Sequence, residues 1–137
     1  MSKYTFKAFD LEDWHGLRNF WQGFKAGRYA MRIDVTEDEL KGYCRMALTD
    51  RRVGVILGLA DGDLRGALVV KEVLDEDKRW PGQLVPTTWI AGVYVDPHAP
   101  RDFSLQFIRV LDQWSYSRGH VQQAGAARVP QDGANNY

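Results

Sequence analysis

The segment "YVDPHAPRDFSLQF", residues 94–107, has the pattern of a strand end, a turn with two prolines and the start of a helix. A strand that leads into a helix N-terminus presents unpaired backbone N–H groups and the positive end of the helix dipole, which favour a bound phosphate. The turn contains no glycine. Whether an anion can reach its backbone is therefore the main functional question that the sequence raises.

The composition predicts one globular domain over residues 1–137. The chain has 45% hydrophobic and 26% charged residues, close to the average of globular proteins. Lysine plus arginine equals aspartate plus glutamate at 18 each, and no basic run stands out. We therefore expect no nucleic-acid partner.

The sequence also predicts the compartment. The segment "MSKYTFKAFD" lacks the apolar core of a signal peptide, and no apolar run approaches the roughly 20 residues of a spanning helix. We expect a cytoplasmic protein with no membrane partner. The single cysteine, Cys44, rules out an internal disulfide and, with three scattered histidines, a cysteine-based zinc site. We expect no metal and a buried thiol.

The first half of the chain predicts one strand and two helices. Alternating apolar residues predict a strand before Asp10, which then caps a helix that stops at Gly27. The capping box "TEDE", in which Thr36 and Glu39 accept each other's backbone N–H groups, predicts a second helix.

The second half predicts three strands, a long helix and a last strand. The runs 53–60 and 65–73 flank the hairpin signal "DGDL", and 87–95 is a third strand that ends before Asp96-Pro97. The polar segment 74–86, with two prolines, is predicted to be a loop. A helix begins at Asp102 and stops at Gly119, and "HVQQAGAARV" is a candidate strand.

This order of elements, together with "VYVDP" at residues 93–97, resembles the GCN5-related N-acetyltransferase (GNAT) family. The resemblance implies an α/β (α+β) domain in the order β-α-α-β-β-β-α-β, with a mixed, mostly antiparallel central sheet flanked by helices. It also implies an N-acyltransferase that moves an acyl group from acetyl-CoA or another acyl-CoA to an amine of a small molecule or a protein.

The family's turn after the fourth strand carries glycines that cradle the coenzyme A pyrophosphate. In this sequence those positions fall on or beside Arg101, Phe103 and Leu105, whose side chains obstruct a close backbone approach. Asp102 would also compete with a phosphate if it caps the helix while Phe103 packs inward. Arg101 can offset that repulsion and Ser104 is small. The resemblance therefore places Arg101 and Ser104 near the phosphates, in a degenerate pyrophosphate loop.

In the family the fourth strand splays from the fifth and offers backbone groups to the pantetheine arm. The resemblance places the backbone of Val93 and Val95 on this arm. Gly92 suits the bulge of such a strand, or it only makes room for aromatic side chains.

Acyl transfer to an amine needs a base for the amine and an acid for the departing thiolate. The resemblance implies Glu72, at the end of the second hairpin strand, as the base and Tyr137 as the acid. Glu72 is alternatively a solvated charge at a strand end, and His98 is either a second titrating group or a turn residue. Tyr137 is the last residue, so the strands that follow its counterpart in the family would have to come from another chain or be missing.

A second hypothesis is a pseudoenzyme of the same fold that binds a protein partner or forms a homo-oligomer. The absent glycines and the many tryptophan and tyrosine residues favour it. Small GNAT-like proteins are encoded by phages, some as virion components, so this hypothesis includes a location within a virion if the chain is a phage component. A third interpretation is a different α+β fold.

Overall fold

In the computed structural model, which describes residues 3–24 and 35–125, five strands form one sheet and three α-helices cover its two faces. In chain order the elements are β1 (Tyr4–Ala8), α1 (Trp14–Gly23), α2 (Glu37–Ala47), β2 (Val53–Ala60), β3 (Asp63–Glu76), β4 (Leu84–Val95), α3 (Arg101–Ser117) and β5 (Gln122–Gly125). The strands lie in the order β1-β2-β3-β4-β5, antiparallel except for the parallel pair β4–β5. The predicted fold class and element order are confirmed.

The predicted starts of the first two helices are confirmed. Asp10 caps a single 3-10 turn, Leu11–Asp13, which leads directly into α1. At the start of α2, Glu39 N–H donates to Thr36 Oγ1 at 3.1 Å and Thr36 N–H donates to Glu39 Oε1 at 2.8 Å. The predicted helix stop at Gly27 lies outside the described residues.

The hairpin between β2 and β3 turns at Asp61-Gly62, whose φ angles of 52° and 87° are those of a type I′ turn. The prediction of a loop over 74–86 is wrong at both ends. Residues 74–76 extend β3 and pair with residues 84–86 of β4, so that only 77–83 connects the strands.

Pro86 fits into β4 because of the direction of its peptide groups. Its carbonyl accepts a hydrogen bond from Val121 N–H at 3.0 Å, on the β5 side of the strand. The nitrogen of the same residue faces that side too, so proline removes no hydrogen bond to β3.

The two faces of the sheet carry separate apolar clusters. On one face α1 and α2 cover β-strand side chains such as Val55, Val69 and Tyr94. On the other face, α3 packs residues at helical spacing against Ile56, Leu68 and Val70; these α3 residues are Phe103, Phe107, Leu111 and Trp114.

Phe103 holds the start of α3 against the sheet. Its ring fills the space above two glycines: a Cβ built on Gly58 would lie 2.7 Å from this ring, and one on Gly66 would lie 3.2 Å from it. The rings of Tyr4 and Phe6 flank it, with centroids 5.5 Å away in both cases. The expectation that Phe103 packs inward is confirmed.

Two of the large residues in the turn are therefore expected to differ in their effect on stability. Phe103→Ala should lower the free energy of unfolding by about 3–5 kcal/mol, because Phe103 is fully buried. Leu105→Ala, at a position that is 56% exposed, should change it by less than about 0.5 kcal/mol. Denaturant unfolding of both variants measures the difference, and equal effects would contradict this packing.

Cys44 lies in the cluster under α2 and is 3% exposed, as predicted for a buried thiol. Burial raises the pKa of this thiol to about 12. An aromatic disulfide reagent at pH 8 should therefore label the native protein only as fast as it unfolds, and should label the denatured protein quickly.

The same shift predicts a pH dependence of stability. The unfolded thiol ionises above its ordinary pKa of about 8.5, whereas the folded thiol stays protonated. The contribution of Cys44 to the free energy of unfolding should be constant below that pH and should fall as the pH rises further. Cys44→Ala should remove this part of the alkaline decrease, and rapid labelling of the native protein would contradict the burial.

Candidate functional site at the end of β4

A bulge interrupts β4 at Ala91. Gly92 pairs with Val69 and Ile90 pairs with Val70, so Ala91 is the extra residue in β4. The bulge expected beside Gly92 is confirmed. The alternative role of Gly92 holds as well, because a Cβ on this residue would lie 2.8 Å from the ring of Tyr94.

Beyond the bulge, the backbone N–H and C=O groups of two residues of β4 point away from β3. Asp96 N–H donates to Arg65 O at 2.8 Å, so Asp96 faces β3. Because the direction alternates along an antiparallel ladder, the N–H and C=O groups of Val93 and Val95 face the opposite side. That side pairs with β5 only from Thr87 to Ile90 within the described part of the chain.

The turn after β4 is held by Asp96. Its carboxylate accepts His98 N–H at 2.8 Å and Arg65 Nη1–H at 2.9 Å, and its carbonyl accepts Ala99 N–H at 2.9 Å. His98 is an exposed residue of this turn, and Pro100 follows as the residue before α3.

The expectation that Asp102 caps α3 is wrong. The helix begins at Arg101, and the N-cap is Pro100, whose extended backbone (φ −57°, ψ 148°) needs no N–H. Asp102 therefore lies inside the first turn, where it accepts the hydroxyl proton of Tyr4 on β1 at 2.5 Å. Among the described residues, no side chain caps the N–H groups of this helix end.

The structure thus brings four of the predicted site residues together at one end of the sheet. Val93 and Val95 end β4, and Arg101 and Ser104 lie in the first turn of α3. Arg101 is exposed and Ser104 is partly exposed. The acidic group of this turn, Asp102, is tied to β1 and so points away from the β5 side.

Glu72 lies elsewhere. It is inside β3, not at its end, because β3 continues to Glu76. Glu72 is six residues from Gly66, which pairs with Val95. At about 3.3 Å per residue, Glu72 is therefore about 20 Å along the sheet from the end of β4.

Glu72 belongs to a series of hydrogen bonds that leads from its partly exposed carboxylate to buried side chains. Its Oε1 is 3.0 Å from Nε2 of His120, whose side chain is fully buried. Nδ1 of His120 is 2.6 Å from Oγ1 of Thr88, and this hydroxyl is 2.6 Å from that of Ser115. Gln123 Nε2 donates to Ser115 at 3.3 Å. His120 thus connects the carboxylate of Glu72 to the hydroxyl groups of Thr88 and Ser115.

Thr88, His120 and Glu72 follow the order of a hydroxyl, imidazole and carboxylate triad. Thr88 is nevertheless fully buried, so no acyl substrate reaches its hydroxyl in this arrangement. This series of hydrogen bonds satisfies buried polar groups and fixes the end of α3 to β3 and β4.

Tyr137, the predicted acid, lies outside the described residues. Within 3–24 and 35–125, no group of histidine, cysteine, aspartate or glutamate is arranged to hold a metal ion, and no helix is long and apolar enough to cross a membrane.

Several solved structures share this architecture. The aminoglycoside N-acetyltransferase AAC(6')-Iy in complex with CoA has 15% identity and a TM-score of 0.72, over 98% of this chain and 82% of that chain. A ribosomal-protein-alanine N-acetyltransferase from Brucella melitensis biovar Abortus 2308 has 19% identity and a TM-score of 0.61, over 98% and 88%. A GNAT family acetyltransferase from Staphylococcus aureus subsp. aureus USA300_TCH1516 has 10% identity and a TM-score of 0.65, over 100% and 95%.

Sequence comparison adds no closer assignment: no family model matches the chain, and no curated protein matches it significantly. At these identities the structural likeness defines the architecture. The chain has a GNAT-like fold.

Proposed function

We propose that this protein binds acyl-CoA beside β4 and transfers the acyl group to an amine, as an N-acyltransferase. The observation that carries the proposal is the uncapped start of α3, which directly follows the outward-facing peptide groups of Val93 and Val95. One acetyltransferase of similar fold, AAC(6')-Iy, has been solved both with CoA and with a bisubstrate analogue of CoA.

The phosphates would bind at the start of α3. Apart from Phe103 N–H, which donates to Pro100 O at 3.0 Å, the N–H groups of its first turn provide donors, and Arg101 adds a positive charge. The large side chains at the family's glycine positions leave the approach of a phosphate to the start of α3 open, for different reasons. Phe103 points into the sheet, and Arg101 extends into solvent. The carboxylate of Asp102 is bound to Tyr4, so it does not take the place of a phosphate.

The pantetheine arm would extend along β4 towards the bulge. Val93 and Ile108 are 37% and 56% exposed and would form an apolar wall for this arm. Ile108 lies one turn before Asp112, which accepts a hydrogen bond from Gln123 of β5, so both face the β5 side of α3. Ala91 is four positions before Val95 on the strand, so a thioester at the bulge would lie about 13 Å from the end of β4.

The acid and base of the reaction stay predictions. Tyr137 is the proposed acid. Glu72 is the proposed base, and it would act through water molecules, because Thr88, to which His120 links it, is buried and lies three residues before the bulge, about 10 Å along the strand. The amine would lose its proton through this water while it attacks the thioester carbonyl, and the C–S bond would break as Tyr137 protonates the departing thiolate. The acceptor is proposed to be an amine of a small molecule or a protein.

A pseudoenzyme of this fold is the second candidate. Two observations favour it: the side chain of Glu72 already bonds to a buried histidine, and two aromatic side chains, Trp80 and Tyr116, are 65% and 87% exposed, as at protein-binding surfaces. It would bind a protein partner or a second copy of this chain.

Titration calorimetry with acetyl-CoA tests the proposed binding. Wild-type protein should release or absorb heat with a Kd of about 1 mM or lower. Arg101→Gln should weaken binding about tenfold, because it removes one charge-assisted contact with the phosphates. The matched control is Arg109→Gln, an exposed arginine two turns further along α3, which should have little effect. No heat at millimolar acetyl-CoA would end the proposal.

Glu72→Gln tests the chemistry separately. If Glu72 is the base, kcat for acyl transfer should fall by about 100-fold or more while binding of acetyl-CoA is unchanged. The thermal unfolding of the variant serves as a control for the loss of its partner His120. An unchanged kcat would show that Glu72 only supports His120, and binding without any transfer would favour the pseudoenzyme.

A further inference from the structure

A cleft lies between the C-terminal ends of α2 and α3, at the opposite end of α3 from the proposed acyl-CoA site. Its volume is about 350 Å³, and its lining includes Phe9, Leu48, Val53, Gly54, Trp114, Arg51 and Arg118. A neighbouring cleft of about 310 Å³ contains Glu72 and Arg52 and shares the same two arginines, Arg51 and Arg118. These two arginines therefore separate the clefts.

Arg118 is held in a fixed orientation. Its guanidinium stacks on the ring of Trp114, with 4.1 Å from Cζ to the ring centroid. Its Nε donates to Arg51 O at 3.0 Å, and its Nη1 donates to Trp114 O at 3.3 Å and Ser117 Oγ at 3.1 Å. Nη2 makes no hydrogen bond to the described residues. One edge of a rigid, charged fork is thus left for another acceptor.

Arg51 provides a second such group. Its side chain makes no hydrogen bond or ion pair within the described part of the chain. The neighbouring carboxylate is not available to it, because Asp50 binds Arg52 through two contacts of 3.1 and 3.0 Å. Burial and the like charge of Arg51 both lower the pKa of Arg118, while Glu72 acts in the opposite direction. The two cations therefore lie close together, and neither forms an ion pair with a carboxylate of the described residues.

Apart from Thr49 and Asp50, the rest of the first cleft is lined by apolar residues. Phe9 and Val53 on its wall are buried residues, 6% and 5% exposed. Trp114 Nε1 lies over Gly54, where a Cβ would be only 2.7 Å away. The indole N–H is a further donor without a described partner. The cleft thus combines apolar walls with donors, and its one carboxylate, Asp50, is already paired with Arg52.

We propose that this cleft binds a small molecule with an apolar body and one carboxylate, held between Arg51 and Nη2 of Arg118. Two guanidinium groups suit the planar oxygens of a carboxylate, and the volume of the cleft suits a small ligand. The nearby charge of Glu72 favours a single negative charge over a dianionic phosphate. This site is independent of the proposed acyl-CoA site.

Nitrogen–proton correlation spectra with 3-phenylpropanoate test the site. The acid should bind with a Kd of about 1 mM or lower and should shift the indole N–H signal of Trp114. The matched alcohol, 3-phenylpropan-1-ol, has the same apolar body and no charge. It should bind at least about tenfold more weakly, since it loses the contact with both arginines.

Two arginines, one inside the cleft and one outside it, provide matched variants. Arg51→Gln should weaken binding of 3-phenylpropanoate about tenfold. Arg109→Gln should leave the Kd within about twofold, because Arg109 is an exposed residue of α3 that lines neither cleft. The comparison of acid and alcohol on the wild-type protein decides the question even if a variant does not fold.

Four results would overturn the proposal. The first is an unchanged Trp114 signal at about 10 mM acid, well above the expected Kd. The second is equal binding of acid and alcohol. The third is tighter binding of inorganic phosphate than of 3-phenylpropanoate, measured by the same Trp114 indole N–H signal. The fourth is equal loss of affinity in the two arginine variants. Titration with acetyl-CoA should be unaffected by 3-phenylpropanoate, which separates this site from the proposed enzyme function.

Discussion

The contact of Phe103 with Gly58 and Gly66 is the constraint on which the arrangement of this sheet and helix depends. Because neither glycine has a side chain, the ring lies directly on the sheet and fixes the height of α3 at its first turn. The helix start is then held at the end of β4. The same contact keeps the largest side chain of the turn away from the helix N-terminus. A residue that would obstruct a phosphate in another orientation serves here as the anchor of the helix.

Charge in this turn follows from the same geometry. Pro100 takes the N-cap position, so Asp102 is displaced into the helix and binds Tyr4 on β1. The negative group thus faces β1, while the outward peptide groups of Val93 and Val95 face the β5 side. The resemblance of the sequence to the GNAT family implied that glycine is needed at this turn to expose the backbone. In this chain, proline and the direction of two side chains leave the same backbone uncapped.

The sequence predicted the local features well. The capping box of Thr36 and the turn at Asp61-Gly62 are interactions between residues close in the chain, and both formed as expected. The strand extension through residues 84–86 was missed because a polar segment with proline resembles a loop. It is stabilised by pairing with β3, and Pro86 is tolerated only because its nitrogen faces β5.

Contacts between distant residues were beyond the sequence pattern. Glu72 and His120 are 48 positions apart, and Arg118 and Arg51 are 67 apart. No periodicity or motif connects such pairs, because their proximity is produced by the packing of α3 across the sheet. The histidine directly after Gly119 was a visible but weak signal, since its burial depends on β3 and β4. The part of the candidate site that lies in one turn, after β4, was predictable from the sequence. The part that depends on contacts between distant strands was not.

The most direct test of the account is a backbone amide spectrum of the protein titrated with coenzyme A. The account predicts shifts at Val93, Val95 and residues 101–104, with little change near Glu72, because the phosphates and the arm are expected at the end of β4 and the start of α3. Shifts confined to another surface, or none at millimolar coenzyme A, would contradict it.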